Sequence, residues 1–335
     1  MKTIKIRFSN GLTFKEGVRA ILRDLTSEFI FEESSSPDFV VFGPYGTDIP
    51  TRKRGVVTIG YFCENIRPDM STCDWAFGVP YEEEINHPRY MRIDWHGFSP
   101  NALVKKTRNI EDLMAGKTRF CNFIYANPVP YRERFFRELS KYKPVDAPGK
   151  SMNNMPSIDS PNDLDKWTTK RRFLSSYKFT IAFENYSYPG YHTEKILDPM
   201  VAGSVPIYFG NPRIAQHFNP RSFINAQDYV EGILQPVAEI LEKSCRLRLM
   251  SAAERQSVLG RGATKLSYMG QHFKMRLQCW SFSDLIEQIV RIDRDESLYA
   301  QYLTEPWFHE NRAPSNSAAT KRWKRIFSGS APFQE

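Results

Sequence analysis

Cysteine is sparse and unpatterned in this chain. Its five residues, Cys63, Cys73, Cys121, Cys245 and Cys279, are odd in number and include no C-x-x-C pair. That argues against a zinc ribbon and against a disulfide framework, and it favours a reducing compartment. No apolar run approaches the length of a membrane span. The chain opens on an alternating strand, Thr3 to Phe8, rather than on a signal peptide. A cytoplasmic protein is therefore expected, attached to the inner face of a membrane only peripherally if at all. The six histidines lack H-x-x-x-H spacing, so no zinc site is expected. Internal repeats are absent as well.

What is present fits a soluble globular protein with room for two domains. A length of 335 residues, 41% hydrophobic and 25% charged, allows two cores of ordinary size. Net charge is +8, which makes acidic partners plausible. The excess gathers in Lys321-Arg322-Trp323-Lys324-Arg325, with a smaller knot at Lys170-Arg171-Arg172. A solvated tail and a solvated helix face explain these runs equally well. Nucleic acid is not expected as a partner, because the basic-aromatic patterning of a recognition sheet or helix is missing.

Along the chain, strands alternate with helices. After the first strand, Phe14, Val18, Ile21, Leu22, Leu25 and Phe29 recur at helical spacing. Buried-strand runs follow at Asp38 to Phe42 and Gly55 to Phe62, whereas Glu82 to Lys117 reads as irregular. A second α/β unit begins with a strand at Arg119 to Tyr125 and a helix at Tyr131 to Lys141. A loop from Lys143 to Asn162 leads to a helix at Leu164 to Tyr177 and a strand at Lys178 to Phe183. Next come a helix from Thr193 closed by Gly203, strands at Ser204 to Gly210 and Ser222 to Asn225, and a helix at Tyr229 to Lys243. This is the doubly wound pattern, which places binding loops at the C-terminal ends of parallel strands. The expected division is 1–118, 119–300 and a mobile tail, 301–335.

Three segments carry chemistry. The most informative runs from Phe183-Glu184-Asn185 through Tyr186-Ser187-Tyr188-Pro189-Gly190-Tyr191-His192 to Thr193-Glu194-Lys195. An apolar strand empties through a Gly/Pro-broken loop into a helix start. Backbone N–H groups, the helix dipole and Lys195 suit phosphates there, while Glu194 suits ribose or sugar hydroxyls. The second is Tyr61 to Asp69, where Glu64 stands at the end of an apolar strand. That is a place for a general base, although a turn-capping glutamate looks the same in sequence. The third is Tyr125 to Arg134. Arg132 in the first turn of a helix opposes the dipole and invites an external anion, unless it is a surface residue paired with Glu133 or Glu138.

Taken together, these segments resemble the α1,3-fucosyltransferases of glycosyltransferase family 10, particularly the bacterial branch. The resemblance runs from about Gly55 to about Asp228. It is carried by Phe-Glu-Asn, the gap, Tyr-x-Thr-Glu-Lys, and then Ala202-Gly203-Ser204-Val205-Pro206-Ile207-Tyr208 and Phe218-Asn219-Pro220-x-Ser222-Phe223. It implies two Rossmann-like domains facing across a cleft (the glycosyltransferase B architecture), with GDP-fucose in the C-terminal half and an oligosaccharide acceptor in the N-terminal half. It puts the catalytic base on Glu64 and donor binding on Arg132, Asn185, Tyr191, Glu194 and Lys195. The reaction implied is inverting transfer of L-fucose to the O3, or alternatively the O4, of N-acetylglucosamine in a Galβ1,4GlcNAc-type glycan, such as a lipopolysaccharide precursor bearing a Lewis-type antigen. That chemistry requires no cofactor or metal, a divalent cation being at most stimulatory. The basic-aromatic end, Lys321, Arg322, Trp323, Lys324 and Arg325, would rest on an anionic membrane.

Some features depart from that pattern or are set aside. Pro199 lies inside the helix after Thr193 and should kink it. The Glu82-Glu83-Glu84 triplet has no counterpart, and sustained heptads are lacking. Asp163-Leu164-Asp165 and Asp293-Arg294-Asp295 match a D-x-D metal motif but sit in charged helical stretches. His192 can serve the ligand or merely pack the loop. A different nucleotide-sugar donor on the same fold is the main rival, and a nucleic-acid-binding protein the more remote one.

Overall fold

The computed structural model describes residues 1–335 except 47, 52, 65, 95, 107–108, 159–164, 233–279, 316 and 330–335. Two parallel sheets organise it. The first is built from β1 (Lys2–Ser9), β2 (Phe29–Glu33), β3 (Phe39–Phe42), β4 (Val57–Phe62), β5 (Trp75–Gly78) and β6 (Tyr90–Arg92), in the order β2-β1-β3-β4-β5-β6. The second contains β7 (Arg119–Asn122), β8 (Val145–Asp146), β9 (Tyr177–Phe183), β10 (Val205–Phe209) and β11 (Ile224–Asn225), in the order β11-β10-β9-β7-β8. Strands β3, β5 and β10 are buried along their whole length, as helices on both faces of a parallel sheet require. Chain order reverses between β7 and β9, so the loops leaving those two strands flank a crevice at the sheet's C-terminal edge.

The N-terminal helical stripe is only partly a helix. α1 covers Phe14–Ala20, a 3₁₀ turn covers Arg23–Leu25, and Phe29 begins edge strand β2. Phe29-Ile30-Phe31 combines aromatic and β-branched side chains, which suit a pleated surface better than a fourth helical turn. The stretch read as irregular holds short elements instead: α2 (Glu82–Ile85), β6 and α3 (Ile110–Ala115). In the second unit, α4 (Pro130–Leu139), α5 (Lys166–Ser175) and α6 (Glu194–Ala202) fall where expected. Gly203 closes α6 at φ +69°. Helix α6 continues through Pro199, whose ring removes only the N–H that would have reached the Lys195 carbonyl. The helix expected at Tyr229 to Lys243 lies mostly outside the described residues. Within them, Glu231–Gly232 pairs antiparallel with Trp280–Ser281. Two further helices follow, α7 (Ser283–Arg294) and α8 (Glu296–Thr304).

The C-terminal segment is not a mobile tail. Ser317–Phe327 forms α9, which returns to the first sheet. Trp323 stacks on Phe77 at 4.4 Å, and Phe327 meets Phe29, Phe31 and Phe39 edge-on. Trp323, Ile326 and Phe327 belong to the N-terminal core, so Trp323 is not available as a membrane wedge. Arg322 and Arg325 lie over Trp75, and Lys324 pairs with Glu28. Removing α9 would strip a core rather than trim an appendage. Among the described residues, no helix is long and apolar enough to cross a membrane.

Candidate active site

β9 ends at Phe183, and the next residue, Glu184, is fully buried. Its carboxylate accepts from the Thr193 N–H at 2.8 Å and from the Thr193 hydroxyl at 2.9 Å. Thr193 in turn caps the N-terminus of α6. One side chain thus ties both ends of the 184–193 loop together. Glu184 also faces Lys195, whose Nζ lies 3.2 Å from its Oε2 and 3.3 Å from Glu194 Oε1. Burial alone would lower the Lys195 pKa, but the two carboxylates outweigh it and hold the ammonium above its ordinary range. Lys195 is therefore cationic throughout the neutral range. Glu194 is held below the usual carboxylate range, Lys195 and Lys170 overcoming its desolvation.

Arg132 is not the surface arginine that its neighbours in sequence allowed. It is 1% exposed, with its guanidinium 3.5 Å from the Tyr125 ring centroid. It donates to the Phe183 carbonyl at 3.2 Å, Asn185 Oδ1 at 3.1 Å and the Asn127 carbonyl at 2.7 Å. The surface pairs on α4 are made by others, Arg134 with Glu138 and Arg137 with Glu133. Among the described residues every acceptor of Arg132 is neutral, and its Nε has no hydrogen-bond partner. No carboxylate among the described residues pairs with this cation, and a buried charge left in that state is costly. It stands in the crevice between the loops of β7 and β9, where an anionic ligand would compensate it.

The first sheet contributes Glu64, just past the end of β4. Among the described residues its side chain makes no capping bond to the local turn. Instead it accepts from the Tyr191 hydroxyl at 3.1 Å, across the cleft. Burial raises the Glu64 pKa, Tyr191 and Lys195 pull it down, and Glu194 pushes it up. All six residues singled out from the sequence thus surround one loop. Arg132 bonds Asn185, Tyr191 bonds Glu64, and Lys195 pairs with Glu194. Sequence reasoning missed Glu184 as a residue with a job. Its signal was a carboxylate directly after the apolar strand end Ile181-Ala182-Phe183, where a charge needs a partner.

The unmatched acidic triplet also has a place. Glu83 accepts from Arg213 at 2.6 Å and Glu84 from the Tyr188 hydroxyl at 3.0 Å, while Glu82 accepts from the Arg92 N–H at 2.9 Å. Arg92 reaches over to the Gly190 carbonyl at 3.1 Å, and Tyr81 bonds His217 at 2.9 Å. The N-terminal unit therefore clasps the loop at several points. His192 packs beside His217 and Phe218 beneath this clasp. Gly190 is required there, since at φ +84° an added Cβ would lie 2.6 Å from the Val79 carbonyl. Gly190→Ala should strain the loop by about 1–2 kcal/mol and push the units apart. A loss of roughly tenfold in kcat/KM for transfer is expected, since each 1.4 kcal/mol is about tenfold. Parent-like turnover with a parent-like urea midpoint would mean that catalysis does not use this closed approach.

The D-x-D triplets are committed elsewhere. Asp293 takes Lys143, Lys178 and Tyr142, Asp295 caps α8, and Asp165 caps α5. Asp163 lies outside the described residues. Among those described, no three His, Cys, Asp or Glu side chains gather as metal ligands.

Comparison with known proteins finds matches for both units. Residues 114–244 match glycosyltransferase family 10 (fucosyltransferase), C-terminal part, and residues 6–98 match the α-(1,3)-fucosyltransferase FucT N-terminal domain. The chain belongs to glycosyltransferase family 10. It is 40% identical over 155 residues to α-(1,3)-fucosyltransferase FucT of Helicobacter pylori, which is 45% of this chain and 30% of that protein. It is 36% identical over 138 residues to α-(1,3)-fucosyltransferase B of Drosophila melanogaster, 39% of this chain and 30% of that one. The chain thus spans less than a third of the length of these curated relatives. A crystal structure of an α1,3-fucosyltransferase with GDP-fucose superposes with TM-score 0.64 at 20% identity, covering 100% of this chain and 94% of that one. The fold of this family 10 member is accordingly the two-domain glycosyltransferase B arrangement.

Proposed function

We propose that this family 10 protein transfers L-fucose from GDP-β-L-fucose, with inversion, to a hydroxyl of N-acetylglucosamine in a Galβ1,4GlcNAc-type glycan. O3 is the favoured position and O4 the alternative. The observation that carries the reading is the buried Arg132, which bonds Asn185 and pairs with no carboxylate among the described residues, together with the Lys195 ammonium in the first turn of α6. Residues 119–300 form the donor half in this reading, with a guanosine diphosphate held between Arg132, Asn185 and the α6 N-terminus. The match to α1,3-fucosyltransferases supports the choice of sugar.

The work divides between the two halves. Glu64 accepts the proton of the acceptor hydroxyl as that oxygen attacks the anomeric carbon, and the bond to the diphosphate breaks on the opposite face. Lys195, Arg132 and the helix N-terminus take up the charge growing on departing GDP. Tyr191 bonds Glu64 and so joins the base to the donor loop. A lipopolysaccharide-type acceptor at a membrane surface fits the basic charge, with the exposed Lys321 and Arg325 as contacts rather than Trp323.

The test is acceptor-dependent GDP release from GDP-fucose with N-acetyllactosamine, together with competition by free GDP and UDP. Turnover inhibited by GDP and not by UDP is expected. Tight UDP binding with no use of GDP-fucose would transfer the reading to another nucleotide sugar.

A further inference from the structure

A cavity of about 360 Å³ lies between the edge of the first sheet and helix α9. Its size is at the lower end of the range for ligand sites. Tyr61 and Met91 form its floor, Ala319 and Trp323 its α9 wall, and Asp94 one rim. Two links run from it to the candidate site. Tyr61 shares β4 with the segment leading to Glu64, and Arg92, another lining residue, bonds the Gly190 carbonyl beside Tyr191.

The lining chemistry narrows the ligand. Charged residues around the space are mixed, with Arg23 and Arg92 against Asp24, Glu82 and Asp94. Arg92 already pairs with Asp94 and bonds two backbone carbonyls, those of Val79 and Gly190. Such a rim offers no net positive field for an anion, but it presents donors and acceptors in alternation around an aromatic and aliphatic floor. A neutral polyhydroxylated ring satisfies both, with hydroxyls on the charged rim and C–H faces on the floor. The volume equals the liquid share of roughly a dozen waters, which is room for a sugar residue or two.

We infer that this cavity, walled by the C-terminal helix, binds the neutral saccharide unit of the acceptor that adjoins the ring receiving the transferred sugar. The inference rests on the proposed function and adds where acceptor length is sensed. α9 then has a second use beyond closing the N-terminal core. It supplies the wall that distinguishes a disaccharide acceptor from a monosaccharide.

Ala319→Phe fills the cavity from a position outside the reaction site. With the parent, N-acetyllactosamine should have a KM at least tenfold below that of free N-acetylglucosamine. In the variant that ratio should collapse toward one, with the KM for GDP-fucose unchanged. Asp94→Asn, which keeps the shape, should move the ratio in the same direction by a smaller factor. An unaltered ratio in a variant with parental thermal stability overturns the inference. Should the parent transfer no fucose at all, the proposed function fails, and saturation-transfer NMR with N-acetyllactosamine decides the cavity separately. Binding lost in Ala319→Phe then upholds the saccharide site, and absent or unchanged binding rejects it. If Ala319→Phe does not fold, Thr320→Ala and Asp94→Asn carry the same comparison, and an unchanged ratio in both rejects the site.

Discussion

Glu64→Gln is expected to lower fucosyl transfer by about 10²–10⁴-fold while GDP-fucose binding is retained. Glutamine preserves the shape, and its carbonyl oxygen can still accept from the Tyr191 hydroxyl that lies 3.1 Å from the carboxylate. What it loses is the capacity to take the acceptor proton. The pH profile gives a second check. Burial raises the Glu64 pKa above the ordinary carboxylate value, and only the deprotonated form is a base. In the parent, kcat/KM should therefore fall with unit slope as pH drops through that raised pKa. The limb should be missing from the residual activity of the variant. Turnover by Glu64→Gln at the parental rate would place the base elsewhere in the N-terminal unit.

The candidate site was legible in the sequence to the degree that its residues are neighbours along the chain. Asn185, Tyr191, Glu194 and Lys195 sit on one strand–loop–helix unit, so a local pattern reveals them. Arg132 was ambiguous because Glu133 and Glu138 stand at distances that suit surface ion pairs. Only the packing of α4 against β9 turns it inward, onto Tyr125 and the Phe183 carbonyl. The clasp from Glu82, Glu83 and Glu84 was illegible, since each partner lies on another element. Arg213 and Tyr188 belong to the opposite half of the molecule.

The fold divides in the same way. Strands such as β9, long and apolar over most of its length, could be read directly, as could the glycine that closes α6. Strands of two to five residues, β2, β5, β6 and β8, have too few positions to display a period. The C-terminal helix misled for a different reason. Lys321-Arg322 and Lys324-Arg325 dominate its composition, yet Trp323, Ile326 and Phe327 recur at helical spacing and supply the buried face. Three apolar residues on one stripe outweighed four cations, because the cations remain at the surface while the stripe docks.

Lys195→Met should fail in two separable ways. The ammonium is the countercharge of fully buried Glu184, so its removal leaves a carboxylate without compensation, at a cost of about 3–5 kcal/mol. In the proposed reaction it is also the cation that meets the leaving diphosphate, and losing one such group costs about 10²–10³ in rate. A single variant confounds the two effects, because a destabilised loop would lose activity anyway. The double variant Glu184→Gln/Lys195→Met separates them, since a neutral amide can still accept from Thr193 and no charge is stranded. Urea unfolding of the double variant should return most of the way to the parent, whereas single-turnover transfer should stay as low as in Lys195→Met. Recovery of both would make Lys195 a structural partner of Glu184 and leave Arg132 and the α6 N-terminus to stabilise departing GDP. Recovery of stability alone assigns the ammonium to the reaction, with Glu184 holding it in place and Thr193 fixing Glu184 to the start of the helix.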